Sequence, residues 1–398
     1  MHGTTGERGG SLWRLPAVRS LFALNVLGFL SFSLLVSALP THAAQLGAGL
    51  TAAGSVTTVF LVTTVVVQAA VPSLVRRVGI GPVLAGGLLA LGVPSPLYLL
   101  ADDVRWFAVV SAVRGTGFAV LTVLGSTIAA QAVPVARRGE SIGIYGLAVA
   151  VPTLAAVPGG TALTLAGHFP WVAVLAAAPV LALVFVPGLV AAVGRPAEEA
   201  GVTGSRAAAR AAVAPSLVLL VVTLAGGGLV TFLPIERPHG ALAPVALLLF
   251  GLTSAVSRWR AGVLVDRVGA RLLLPGALAV GVCGLVLVAL GLVLAGWGAA
   301  AAVLTGALLF GITYGAVQNL TLVVALARAG DGQTATVSAV WNAGYDSGTA
   351  IGALAVGAVA AAGLGLPLSY VLLAVVLAVV LPLAVPVAAA RAPVPSAG

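Results

Sequence analysis

Long apolar runs separated by short polar gaps cover almost the whole chain. They lie near 17–40, 49–71, 82–101, 105–133, 141–165 and 171–194, and again near 215–235, 241–262, 272–294, 297–326, 334–362 and 367–388. A hydrocarbon layer roughly 30 Å thick is crossed by about 20 apolar residues in a helix, so each run is long enough to span it. Membrane-spanning strands would show segments of about ten residues with alternating polarity, and the chain has none of that pattern. The expected architecture is all-α, with twelve transmembrane helices. The first run is longer than the apolar core of a cleaved leader and is expected to be retained.

Composition sharpens this reading. The chain is 60% hydrophobic and 7% charged, with a mean hydropathy of +1.17, outside the range of soluble domains. All 19 basic residues are arginine, and they fall mainly in alternate gaps. With the N-terminus on the cytoplasmic side, the inner regions hold Arg8, Arg14, Arg19, Arg76, Arg77, Arg137, Arg138, Arg195, Arg206, Arg210, Arg258, Arg260, Arg267, Arg271, Arg328 and Arg391. The outer regions hold Arg105 and Arg237, and Arg114 lies within a span. The positive-inside rule therefore places both termini in the cytoplasm of a multi-pass protein of the cell membrane. The same bias accounts for a net charge of +9 without nucleic acid as a partner, since short basic loops lie against an anionic leaflet.

Cofactor chemistry has little to work with. Cys283 is the single cysteine and lies mid-span, while His2, His42, His168 and His239 sit far apart in the sequence, so neither an intrachain disulfide nor a metal site is expected. No phosphate-binding loop, metal-binding helix pair or Ser/His/Asp arrangement is apparent, which argues against an enzyme.

The chain repeats itself. Residues 72–87 (PSLVRRVGIGPVLAGG) and 262–277 (GVLVDRVGARLLLPGA) agree at seven of sixteen positions with an offset of 190. Each segment follows the second span of its half, and the first spans of the two halves end in Leu39-Pro40 and Leu233-Pro234. The longest polar stretch in the interior, 195–213, separates them as a cytoplasmic linker. The expected division is a six-helix bundle over 1–194, the linker, and a second bundle over 214–398. Parallel repeats of this kind are the architecture of alternating-access carriers.

The loop after the second span of the second half carries Gly262, Asp266, Arg267, Gly269 and Arg271 at the spacing of the cytoplasmic signature of the major facilitator superfamily. The chain resembles that family over essentially its whole length. The first-half copy is degraded: Pro72 and Arg76 stand where Gly and Asp are expected, and Arg77 and Gly79 survive. The resemblance implies a gating loop. Asp266 is expected either to face the N-terminal end of span 5 near Gly139 and Glu140 or to pair with Arg328, latching the inner face. The plain alternative is a solvated loop that sets topology. In the family, a basic residue in span 4 followed by close glycines marks a site of proton-coupled exchange, and Arg114, Gly115 and Gly117 match it. An arginine at that depth faces a cavity or partner, or else snorkels to the surface. Span 5 carries Gly143, Gly146, Pro152, Pro158, Gly159 and Gly160, a partial likeness to drug:proton antiporters that lacks their adjacent Gly-Pro pair.

Span 11 reads SAVWNAGYDSGTAIGALAVG. Asp346 lies about 18 Å of helix rise from its inner end, with Asn342 on the same face and Tyr345 beside it. Gly344, Gly348 and Gly352 form a ridge suited to close helix packing, and Asp346 lies off it. A carboxyl group removed from water can exchange a proton and couple transport to it; the alternative role is a structural bond between halves. Asn25, Gln68, Gln318, Asn319 and Tyr314 are further candidates for the substrate cavity as polar residues inside spans; the resemblance favours Asn25, Arg114, Gln318 and Asn319, because spans 1, 4, 7 and 10 surround the substrate in the family. With Arg114 as the sole cation counted inside a span, an amphipathic or weakly charged organic molecule is the expected substrate. The reading is a monomeric, proton-coupled efflux carrier for such a compound, without cofactor, with a metabolite importer or uncoupled facilitator of the same fold as the alternative.

Overall fold

A computed structural model describes residues 11–131, 133, 137–193, 206–329 and 333–389. The described residues form twelve helical spans. In the first half these are span 1 (Pro16–Gln45), span 2 (Leu50–Gln68), span 3 (Ile80–Leu99), span 4 (Val104–Gln131), span 5 (Arg138–Leu165) and span 6 (Phe169–Ala192). The second half holds span 7 (Arg206–Glu236), span 8 (Leu242–Val268), span 9 (Ala270–Val293), span 10 (Gly296–Ala329), span 11 (Thr334–Val359) and span 12 (Gly365–Ala389). Spans 11 and 12 are nearly continuous. Gly363 and Gly365, at φ of 95° and 71°, turn the chain between them, a left-handed conformation that glycine adopts without the penalty of a Cβ.

The repeat seen in the sequence recurs in the backbone. Gly79 (φ 95°, ψ 159°) and Gly269 (φ 84°, ψ 149°), 190 residues apart, make the same turn between the second and third spans of their halves. The copies differ just before it. Span 8 runs unbroken to Val268, whereas span 2 stops at Gln68 and a separate short helix, Val71–Val78, follows. Pro72 sits at the start of that helix, where its missing N–H and fixed φ are tolerated; within a continuous helix it would break the ladder.

Two differences from the expected boundaries matter. Span 8 extends to Val268, six residues past the apolar run that ends at 262, and Arg258, counted among the inner arginines, lies well within the helix and not in a loop. The stretch expected as linker is helical from Arg206, and residues 194–205 lie outside the described residues.

The halves form two bundles with separate cores. One gathers residues such as Leu24, Phe60, Leu88, Phe118 and Leu189 from the first six spans; the other gathers Leu229, Phe250, Leu285, Phe310 and Leu377 from the last six. Small residues allow close approach within each. The Gly344, Gly348 and Gly352 ridge lies on the backbone of Ser216, Leu220 and Leu224 in span 7, one turn apart on both helices. Gly115 and Gly117 likewise admit span 2 at Phe60 and span 3 at Gly87 and Leu91, so the space beside Arg114 is filled by helices.

Between the bundles, span 2 meets span 11, span 1 meets span 7, and span 5 meets span 8. The contacts cluster toward the arginine-poor end, where loops 46–49, 166–168 and 360–364 lie. There Gly357 packs on Leu50, Gly54 on Ala353, and Leu154 on Gly251. Thr58 Oγ1 donates to the carbonyl of Ala350 (2.8 Å), and Ser37 Oγ to that of Val230 (2.7 Å). The bundles are thus sealed together at one end.

Candidate functional site

Asp346 lies on the seam at the limit of these contacts farthest from the sealed end. Its side chain is 8% exposed, and Gln68 Nε2, from the other bundle, donates to its Oδ2 at 3.0 Å. The same nitrogen reaches Thr122 Oγ1 of span 4 at 3.2 Å. Two residues off the glycine ridge, Asp346 faces span 2 while the ridge faces span 7, as the 100° step of a helix requires. Among the described residues Asp346 has no cation within ion-pair distance; the ion pair found there is Arg137–Glu140, at 2.8 Å.

Arg114 is not near Asp346. It is 2% exposed inside the first bundle, with a complete shell of neutral acceptors. Its Nε donates to Leu91 O (3.1 Å) and Ser95 Oγ (2.9 Å), one terminal nitrogen to Tyr98 OH (3.4 Å), and the other to Ser31 Oγ (2.9 Å) and Ser31 O (3.3 Å). The guanidinium also lies 5.6 Å from the ring centre of Phe60 and 5.7 Å from that of Tyr98, within range of attraction to an aromatic face. It does not snorkel. Arg114, Ser111, Thr57 and Phe60 border a cavity of about 20 Å³, roughly one water in size.

A second polar cluster lines the seam from the other bundle. Arg258 of span 8 donates to Gln318 Oε1 of span 10 at 3.1 Å. One turn away on span 10, Tyr314 OH donates to Tyr345 OH of span 11 at 2.9 Å. Trp341 stacks on Tyr345 with ring centres 6.0 Å apart, and Phe250 lies 5.0 Å from Tyr314. Tyr145 of span 5, from the first bundle, faces the same seam, where the charges of both Asp346 and Arg258 act on its hydroxyl. Asn25 lies behind Tyr145, both bordering Gly125. Its Nδ2 donates to Leu21 O at 2.8 Å, while its buried Oδ1 has no partner among the described residues.

The structure therefore gathers Asp346, Gln318, Tyr314, Tyr345 and, at the margin, Asn25. Asn319 instead packs against Gly262 of span 8. Asn342 is exposed and donates to Ser338 O of its own helix at 2.9 Å. Gln68, expected at the cavity as a polar residue inside span 2, bonds Asp346 there, whereas Arg258, Tyr145 and Thr122 were not singled out as cavity residues from the sequence. Arg258 had a usable signal, since it falls four positions inside the apolar run ending at 262. Of the gating loop, Gly262, Gly269 and Gly79 have defined backbones, and Arg77, Arg267 and Arg271 are exposed. The side chain of Asp266 lies outside what is described. Arg328 reaches Pro386 O of span 12 at 3.5 Å.

Twelve apolar spans in two repeated bundles, meeting at a seam lined by a few polar side chains, define a polytopic helical membrane protein of the transporter type. The model of the Major Facilitator Superfamily matches residues 21–353, and the chain belongs to that family. Two uncharacterized MFS-type transporters of Mycobacterium tuberculosis, from strains CDC 1551 / Oshkosh and H37Rv, are each 32% identical over 155 residues, 38% of this chain. The matched region spans 22% of the length of those relatives. Among solved structures, a bacterial homolog of the human lysosomal transporter Spinster, inward-facing and unoccupied, superposes with a TM-score of 0.78 at 16% identity, covering 98% of this chain and 100% of that one. The nucleoside transporter NupG superposes at 0.73 and 10% identity, covering 94% of this chain and 100% of that one.

Proposed function

We propose that the chain is a monomeric secondary carrier that works by alternating access and exchanges protons for a small organic compound, moving the compound out of the cell. In this reading the arginine-rich end is cytoplasmic, because the positive-inside rule orients the spans, and the sealed end faces outward. The bundles are then caught in a state that opens inward. The observation that carries the proton coupling is the bond from Gln68 to Asp346 across the seam. A carboxylate held there ionised, with an amide but no cation beside it, is a poorly compensated charge in a closed interface. Protonation removes that cost, so gain and loss of a proton at Asp346 biases the bundles between sealed and separated.

Arg114 acts differently from a direct partner of Asp346. Its bonds join span 4 to Ser31 of span 1 and to Leu91 and Ser95 in span 3. It is a positioning residue that moves these helices as one body. The loop around Gly269 is a hinge of the same rocking motion, and Gly79 is its counterpart.

The test is reconstitution of the wild type and Asp346→Asn in proteoliposomes with an internal pH dye and a panel of lipophilic drugs and metabolites. Substrate-driven proton movement that is present in the wild type and lost in a folded Asp346→Asn is the expected result. Labelled-substrate flux with no proton movement in either protein would establish an uncoupled facilitator and overturn the antiport reading.

A further inference from the structure

Resting on that carrier reading, we propose that the seam binds its substrate by an anionic group on Arg258, against the aromatic wall of Tyr314, Tyr345 and Trp341. The substrate class is an organic monoanion, such as a carboxylate, with a planar apolar body.

Arg258 and Arg260 are two positions apart and serve different surfaces. Arg260 lies over the ring of the exposed Trp259, 5.0 Å from its centre, an arrangement typical of a membrane interface. Two helical steps turn Arg258 roughly 200° away, to Gln318 of span 10. It lies ten residues from the end of span 8 at Val268, about 15 Å of helix rise. At that depth a charge is expensive unless it faces water or a ligand, yet its side chain is exposed. A guanidinium has five N–H donors in a rigid fork. The described structure gives it one neutral acceptor, Gln318, and no carboxylate within ion-pair distance. The rest of the fork is free for a planar anion.

The surrounding groups fit that occupant. The Tyr314–Tyr345 pair donates one hydroxyl to the other, which leaves the Tyr345 hydroxyl hydrogen for an acceptor. Trp341 and Phe250 extend the wall on either side of the pair. Asp346, the other charged group on the seam, is buried and engaged by Gln68 on the opposite bundle. One exposed cation on this part of the seam among the described residues suits one negative charge and would serve a polyanion poorly.

The test places one reactive thiol at the site: Tyr345→Cys in a Cys283→Ala background, in the full-length protein in nanodiscs. Modification rates are measured with an anionic and a cationic methanethiosulfonate, each normalised to a free thiol. The anionic reagent is expected to be favoured, with the ratio falling at least about fivefold on Arg258→Gln and recovering on Arg258→Lys. Millimolar 2-naphthoate is expected to slow modification, while 2-naphthamide of the same shape does not. A ratio unmoved by Arg258→Gln, or equal protection by acid and amide, overturns the anion assignment and leaves the carrier reading intact. A thiol that neither reagent reaches, in protein that remains monodisperse, overturns the accessible seam on which both depend.

Discussion

A single methyl group at Gly54 is expected to shift the balance between the two states. In the sealed state a Cβ at this position would fall on the carbonyl oxygen of Ala353, which is backbone and cannot swing aside. The aromatic ring of Phe232 closes the other side. Overpacking of this kind costs about 1–3 kcal/mol, and here the cost applies only while spans 2 and 11 touch. When the bundles separate, the methyl group meets lipid or water. Such a difference changes the ratio of the two states about 5- to 150-fold. A sealed-to-separated ratio near 100:1 would become about 20:1 at the weak end and roughly equal at the strong end.

The readout is the distance between spin labels at Leu46→Cys, in the loop after span 1, and His239→Cys, in the loop after span 7, in a Cys283→Ala background. Both native side chains are exposed. Gly54→Ala is expected to add a longer-distance population. Gly117→Ala, which crowds Gly87 and Leu91 within the first bundle, is expected to lower stability without adding one. An unchanged distribution in folded Gly54→Ala, or the same change in Gly117→Ala, would refute the claim that this seam is what opens.

Further outcomes follow from other parts of the structure. Arg114→Gln leaves Ser31, Leu91 and Ser95 short of donors, and thermal unfolding in detergent should show a loss of about 2–3 kcal/mol; Arg114→Lys should recover a minor part, because an ammonium lacks the planar fork. Gly269→Ala places a side chain at φ 84° and should cost about 1–2 kcal/mol, whereas Gly276→Ala, with open space around it and a helical backbone, should stabilise by up to about 1 kcal/mol; the two midpoints should move in opposite directions. Arg237, whose terminal nitrogen donates to Gly291 O and Leu292 O at 2.8 and 3.1 Å, holds the end of span 9, and Arg237→Ala should speed amide exchange there by about fivefold, the equivalent of about 1 kcal/mol.

The spans, their order and their repeat are legible in the sequence because membrane helices must satisfy two independent rules, apolar length and sided charge. The glycine ridge of span 11 is legible for the same reason: its spacing of four allows a helix to lie along it, and span 7 does. Span boundaries are less legible. Helices continue past the apolar segment into polar residues, and Arg258, though four positions inside its run, is easily counted with the loop arginines that follow it. Partners across the seam are not legible at all. Gln68 and Asp346 are 278 positions apart, and nothing local joins them. The same is true of Arg114, whose depth is evident from its span but whose neutral acceptors come from two other spans. Conversely, Asn319 and Asn342 are polar residues in the expected spans that the structure turns to helix packing and to a bond within their own helix.

The most direct test of proton control at the seam is the Leu46–His239 label distance, followed as pH is raised in the wild type and in Asp346→Asn. In the wild type, ionisation of a carboxyl group that has no cation beside it should separate the sealed ends and lengthen the distance at alkaline pH. In Asp346→Asn, which keeps an acceptor for Gln68 but has no proton to lose, the short distance should persist throughout; His42, the titratable histidine on span 1 near this end, is unchanged in both proteins. A wild-type distance that ignores pH, or a pH response that survives in Asp346→Asn, would contradict the assignment of Asp346 as the proton switch.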